Sequence, residues 1–272
     1  MTMGADEPVV GLLAEEWSAI VALGRTLEPG EWDMPTECPG WTVRDMVSHM
    51  TGTERALSGD PPPPRLSELP AHVQNAVGAG NEAWVEARRS TPGEAVLAEF
   101  ESVTARRLDA LRSWPESRFD QLGPSPVGEV PYREFMRVRV MDCWVHEQDM
   151  RVATGRPGHD TGPAAALALE RIASAMPFVV GKKAGAPEGA SVRFVLGGAW
   201  PRHIDIVVKG GRAVTHEIEH EPTATVTMEA ATFWRLGCGR VSGEAALAAG
   251  LVQISGDETL APSVVHNMVF MV

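Results

Sequence analysis

The chain has 272 residues, 44% apolar and 22% charged, with a formal charge of −12 and a sequence pI near 5.1. That length suits one large or two modest domains, and the acidity excludes the basic footprint that nucleic acid or an anionic membrane face requires. No uninterrupted run of 18 apolar residues occurs, so the sequence predicts no partnership with a membrane by a spanning helix.

The N-terminal MTMGADEPVV lacks a basic segment followed by an apolar core, so no secretory leader is expected. Cys38, Cys143 and Cys238 are odd in number and far apart. They fit a reducing cytoplasm better than a disulfide framework.

In chain order, Asp6-Glu7-Pro8 reads as a helix start, with acid near the first turn and proline where its missing N–H is harmless. Val9, Val10, Leu13, Trp17, Ile20, Val21 and Leu27 keep a helical period as far as Gly30. In "WTVRDM", Thr42 and Asp45 have the spacing of a capping box, with Trp41 and Met46 as a hydrophobic staple. The helix they open is predicted to run through His49 to about Leu57, before Gly59 and the four prolines at 61–64. Leu69 to Arg89 is helix-like despite Gly78 and Gly80. "TPGE" at 91–94 starts a helix to about Trp114, with Thr91 as cap. Pro131 opens the longest helix, from Tyr132 to Thr154, closed by Gly155 and Pro157.

After Gly181 the texture changes. "SVRFVLGG", "HIDIVVK", "AVTHEIEH" and "ATVTMEA" are short β-branched runs bounded by glycine or proline. Helical "ATFWRLGCG" and "GEAALAAG", strand-like "LVQISGD" and a last helix from about Glu258 follow. The prediction is an all-α four-helix bundle over 1–180 and a smaller α+β domain over 181–272, with "GKKAGAPEG" as linker.

The chemistry concentrates in "MDCWVHEQDMR", residues 141–151. Asp142 and His146 are one turn apart on one helix face, and can be an ion pair or two ligands of a metal. With His49 from the capped helix they give two imidazoles and a carboxylate, the donor set of many catalytic zinc sites. The same set accepts nickel, iron or copper. Asp149, three beyond His146, is placed either to orient that imidazole from behind or to be a solvated carboxylate beside Arg151. Cys143 reads as a small core residue. Cys38, before the Pro39-Gly40 turn, has no visible base to make it a nucleophile. "HEIEH" at 216–220 imitates a zinc-protease pattern, but its surroundings predict a strand with His216, Ile218 and His220 on one face. No G-x-S-x-G, P-loop or dinucleotide fingerprint occurs.

"CPGWTVRDMVSHM" followed by "DCWVHEQDMRVATGRPG" resembles the mycothiol-dependent maleylpyruvate isomerase family, a branch of the DinB-like superfamily. "GLVQISGDETLA" is similar to the family's C-terminal domain, related to sterol-carrier proteins. The resemblance covers nearly the whole chain. It implies a divalent metal, usually zinc, on His49, Asp142 and His146, and mycothiol as the low-molecular-weight thiol. A metal-bound thiolate would add to an electrophilic small molecule, giving an isomerase or a thiol S-transferase. The family's acid is Glu where Asp142 stands, which alters reach by one methylene. Two other readings stay open: a hydrolase or deacylase using metal-bound water, and a non-catalytic small-ligand-binding protein.

Overall fold

Pro8 fixes the φ angle that a helix start needs, and the first helix, α1 (Pro8–Gly24), begins there. The computed structural model describes Gly4 and residues 7–271; Asp6 of the expected start lies outside them. Glu7 occupies the cap position without capping, and its carboxylate pairs instead with Arg133 at 2.7 Å. Val9, Val10, Leu13, Trp17, Ile20 and Val21 form the buried stripe. The helix stops six residues before Gly30, and Pro29–Asp33 is a separate 3-10 turn. Gly24 explains the stop's packing: a Cβ there would lie 2.7 Å from Leu97 and 3.2 Å from Trp32.

Thr42 and Asp45 make the reciprocal capping box. Thr42 N–H donates to Asp45 Oδ2 at 2.9 Å, and Asp45 N–H to Thr42 Oγ1 at 3.4 Å, opening α2 (Val43–Leu57). The proline loop follows, then α3 (Ala76–Glu86), capped by Asn75 accepting from Gly78 N–H. Gly52 lets α3 come close, since a Cβ there would stand 2.4 Å from the Trp84 Cβ. In α4 (Gly93–Ser113) the cap position falls on Pro92, one residue later than expected, so Thr91 caps nothing. Gly93 sits against Trp32 too closely for any side chain.

Residues 122–131 add a short hairpin to the expected helical bundle. Strands β1 (Leu122–Ser125) and β2 (Gly128–Pro131) form an antiparallel hairpin, turning at Gly128 with φ 104°. Pro131 then precedes α5 (Tyr132–Thr154), which ends on left-handed Gly155, φ 64°. Helix α1 packs on α4 and α5, and α2 packs on the same two, which makes the four-helix bundle.

The chain divides into two compact units, the first reaching Ala168 and the second beginning at Leu169. The expected boundary was 180/181. Residues 169–180 continue helix α6 (Pro163–Ser174), α7 (Met176–Phe178) and a π-helical turn, Val179–Lys183, so the first part of "GKKAGAPEG" is helix and not linker. By length and mean hydropathy, 1.4, Pro163–Lys183 could cross a membrane, but half of it is buried in the protein, as in a core helix, and Glu170 and Arg171 interrupt its apolar run.

In the second unit, β3 (Ser191–Gly197), β4 (Arg202–Lys209), β5 (Arg212–Thr215), β6 (Ala224–Glu229) and β7 (Val252–Gly256) form one sheet ordered β5-β4-β3-β6-β7. The β3–β6 pair is parallel and the other pairs are antiparallel. Val192, Phe194 and Leu196 alternate inward, with Ile204, Ile206, Val208, Val226 and Met228 beside them. Helices α8 (Ala230–Gly237), α9 (Gly243–Ala248) and α10 (Leu260–His266) complete the α+β unit. "HEIEH" is not a strand. Pairing ends at Thr215, because Asp205 Oδ2 accepts from Ile218 N–H at 3.0 Å and Arg193 donates to the Ile218 carbonyl, drawing the chain into a loop.

Candidate metal centre

The capping box fixes where α2 begins, and so which residue it presents two turns later. That residue is His49, whose side chain is 5% exposed. Opposite it, the i,i+4 spacing on α5 stacks Asp142 and His146 on one face. The helices bring all three together: one ligand-capable atom from each lies within 4.8 Å of the others. His49 Nε2 is 3.2 Å from Asp142 Oδ2, and His146 Nε2 is 3.6 Å from Asp142 Oδ1. The two imidazoles meet edge to face, with ring centres 4.9 Å apart. Asp142 keeps 25% of its side chain exposed, so the cluster has a wet side.

The electrostatics favour the ligand forms of His49 and Asp142. Burial lowers the His49 pKa below the ordinary imidazole value, against the pull of Asp142, so the ring is neutral near pH 7. Burial also opposes ionisation of Asp142. The Arg139 guanidinium, helped by His49 and His146, outweighs it and holds the carboxyl well below the usual aspartate range. His146 Nδ1 lies 3.2 Å from Asp149 Oδ2, leaving Nε2 toward Asp142.

Several partners were not visible in the spacing. Trp41 walls the cluster, its ring 5.1 Å from His49 and 5.9 Å from His146. Its Nε1–H donates to buried Glu82 at 2.8 Å, and Arg89 and His72 hold the same carboxylate. Arg139 bridges Asp142 to Glu54, which also accepts from Arg107, so two guanidiniums compensate a fully buried glutamate. Trp41 with Glu82, and Glu54 with Arg107 and Arg139, are 41, 53 and 85 residues apart in sequence.

Cys143 is completely buried, and burial pushes its thiol pKa up, which suits a core residue. Cys38 stands outside the cluster, in the turn where Thr36 Oγ1 accepts its N–H. Glu147 turns to Arg151 and His159. His216 and His220 are both exposed, in or beside a loop.

Two imidazoles and an anionic carboxylate at these separations can share a divalent cation. Such an ion with bonds of about 2.1 Å sets tetrahedral ligand atoms roughly 3.4 Å apart; His49 lies 3.2 Å from one Asp142 oxygen and His146 lies 3.6 Å from the other, each near that value.

Residues 13–151 match the family described as the mycothiol maleylpyruvate isomerase N-terminal domain, and residues 166–263 match the MDMPI C-terminal domain. Uncharacterized protein Rv0738 of Mycobacterium tuberculosis is 28% identical over 59% of this chain and 74% of its own length. Uncharacterized protein Rv0036c of the same organism is also 28% identical, over 54% of this chain and 57% of its own. The crystal structure of the mycothiol-dependent maleylpyruvate isomerase is similar in fold, with a TM-score of 0.60 at 19% identity, covering 96% of this chain and 99% of that one. The two domain matches take in both units in order, and by them this chain belongs to the mycothiol-dependent maleylpyruvate isomerase family.

Proposed function

We propose that this chain is a metal-dependent enzyme that uses mycothiol as cofactor or co-substrate, an isomerase or thiol S-transferase for small electrophilic molecules. The observation that carries the reading is the meeting of His49, Asp142 and His146, two imidazoles and one carboxylate, on facing helices. The donor set fits zinc, and the second imidazole is oriented from behind by a carboxylate, as zinc-bound histidines usually are. A divalent ion held there supplies a Lewis acid that lowers the pKa of an added thiol, so the thiol reacts as thiolate near neutral pH.

The chain's own groups do the rest. Arg139 fixes Asp142 by an ion pair and sets which carboxylate oxygen faces His146. Trp41 gives the cluster an apolar wall beside both imidazoles, shielding it from water. Buried Cys143 is unsuited to act as nucleophile, which leaves that part to a thiol from outside. Such chemistry belongs in a reducing cytoplasm. Asp142 is one methylene shorter than the glutamate that the family resemblance implies, which alters its reach toward the ion.

The test is turnover of maleylpyruvate and related unsaturated acids by zinc-loaded protein, with and without mycothiol. Activity that requires both mycothiol and His49 supports the reading. Equal turnover without any thiol overturns it in favour of hydrolysis.

A further inference from the structure

Glu147 follows His146 in α5, about 100° further round the helix, and meets a different set of neighbours. Glu16 reaches it from α1 and His159 from the loop after α5, and ligand-capable atoms of the three lie within 4.8 Å of one another. His159 Nδ1 is 2.6 Å from Glu147 Oε2 and 3.8 Å from Glu16 Oε2. The other His159 nitrogen lies 3.7 Å from Glu15, a half-exposed carboxylate at the rim. Arg151 occupies only the second oxygen of Glu147, Oε1.

Glu16 is the anomaly. It has no exposed surface, and among the described residues neither of its carboxylate oxygens meets an N–H or hydroxyl donor; its close neighbour is the carboxylate of Glu147, to which it can hydrogen-bond only by sharing a proton. A buried carboxylate left so must be neutralised, by a proton or by a cation. Burial first, then the charge of Glu147, holds its pKa well above the usual glutamate range, so without a cation it carries a proton. A metal ion would take the place of that proton. The third member is held in position: the His159 carbonyl accepts from Trp144 Nε1–H at 2.8 Å and from Gln148 at 3.3 Å, at a residue whose φ is 53°.

We propose that Glu16, Glu147 and His159 form a second divalent-cation site, distinct from His49, Asp142 and His146, with two carboxylate oxygens and one imidazole nitrogen as its protein ligands. Such a mixed oxygen and nitrogen set accepts manganese, iron or zinc, and holds zinc most tightly of the three, which makes Zn2+ the stringent probe.

The test uses the full chain, stripped with chelator, reloaded with Zn2+, desalted and assayed for zinc per chain. The His49→Ala/His146→Ala variant is expected to retain about one zinc, lost when Glu16→Gln or His159→Asn is added. Asp142→Ala serves as an independent knock-out of the first cluster, and circular dichroism confirms that each protein counted is folded. Zinc in the wild type that Glu16→Gln removes entirely would support this site and count against the first. A His49→Ala/His146→Ala protein that is folded and zinc-free would overturn the proposal. So would residual zinc unmoved by both Glu16→Gln and His159→Asn; the three groups would then be a proton-sharing cluster.

Discussion

Asp149 Oδ2 stands 3.2 Å from Nδ1 of His146, one turn along α5. With a hydrogen on Nδ1, the opposite nitrogen is free to act as a ligand, and it is the one that lies 3.6 Å from Asp142. A carboxylate in this position both selects the tautomer and strengthens the donor. Asp149→Ala should therefore weaken Zn2+ binding by about 10- to 100-fold while both first-cluster imidazoles remain. Competition with a chromogenic chelator measures it, and wild-type affinity in the variant would reduce Asp149 to a helix polar residue.

Asp142 offers a graded test of its own role. Asp142→Ala removes the oxygen donor and leaves Arg139 with Glu54 and the Cys143 sulfur, so metal occupancy should fall strongly. Asp142→Glu keeps a carboxylate, of the length that the family resemblance implies, so it should hold zinc far better. His49→Ala and His146→Ala should behave like Asp142→Ala, with unfolding free energy lowered by about 1–3 kcal/mol, the cost of leaving buried partners unsatisfied. Zinc stoichiometry read beside thermal unfolding separates loss of metal from loss of fold. If the Glu and Ala variants lose zinc equally, this carboxylate is not a ligand.

Trp41 links the cluster to a buried ion network. Its indole N–H, Arg89 and His72 converge on Glu82, whose side chain is 1% exposed. Glu82→Gln discards the charge that Arg89 neutralises and should destabilise the first unit by about 2–4 kcal/mol, visible as a lower urea midpoint. Because the ring lies 5.1 Å from His49, Zn2+ at the first cluster should change tryptophan emission, and Trp41→Phe should reduce that response. An unaltered emission change in Trp41→Phe would show that another of the eight tryptophans reports the ion.

What the sequence revealed was what local chemistry determines. Thr42 and Asp45 are three apart, so the start of α2 could be read directly, and Asp142 and His146 are four apart, so their shared face could be read as well. Gly155 and Pro131 marked both ends of α5 for the same reason. The hairpin at 122–131 escaped notice because its two strands are four residues each and rich in glycine and proline, with no alternation of β-branched residues. "HEIEH" misled in the opposite direction: its pattern was strand-like, but Asp205 and Arg193, from other strands, capture its backbone. Long-range partners left no trace in spacing. Trp41 with Glu82 is separated by 41 residues, and Arg139 with Glu54 by 85. Nothing near Glu16 announces that α5 and His159 will enclose it.

Glu16 should make stability depend on pH in a direction opposite to a salt-bridged acid. Burial, and after it the charge of Glu147, raises its pKa in the folded chain, whereas in the unfolded chain it ionises near the ordinary value of about 4.3. Between those two values the folded state holds the extra proton, so stability falls as pH rises. The contribution is whole below about pH 4 and declines by up to about 1.4 kcal/mol per pH unit until the folded Glu16 itself ionises. Glu16→Gln removes the titrating group, so in metal-free protein its melting temperature relative to wild type should climb as pH rises above about 5 and level off once the folded Glu16 ionises. Differential scanning fluorimetry across that range measures the slope. Parallel curves for the two proteins would mean that Glu16 is already ionised in the folded chain, with a counter-charge strong enough to offset both its burial and Glu147.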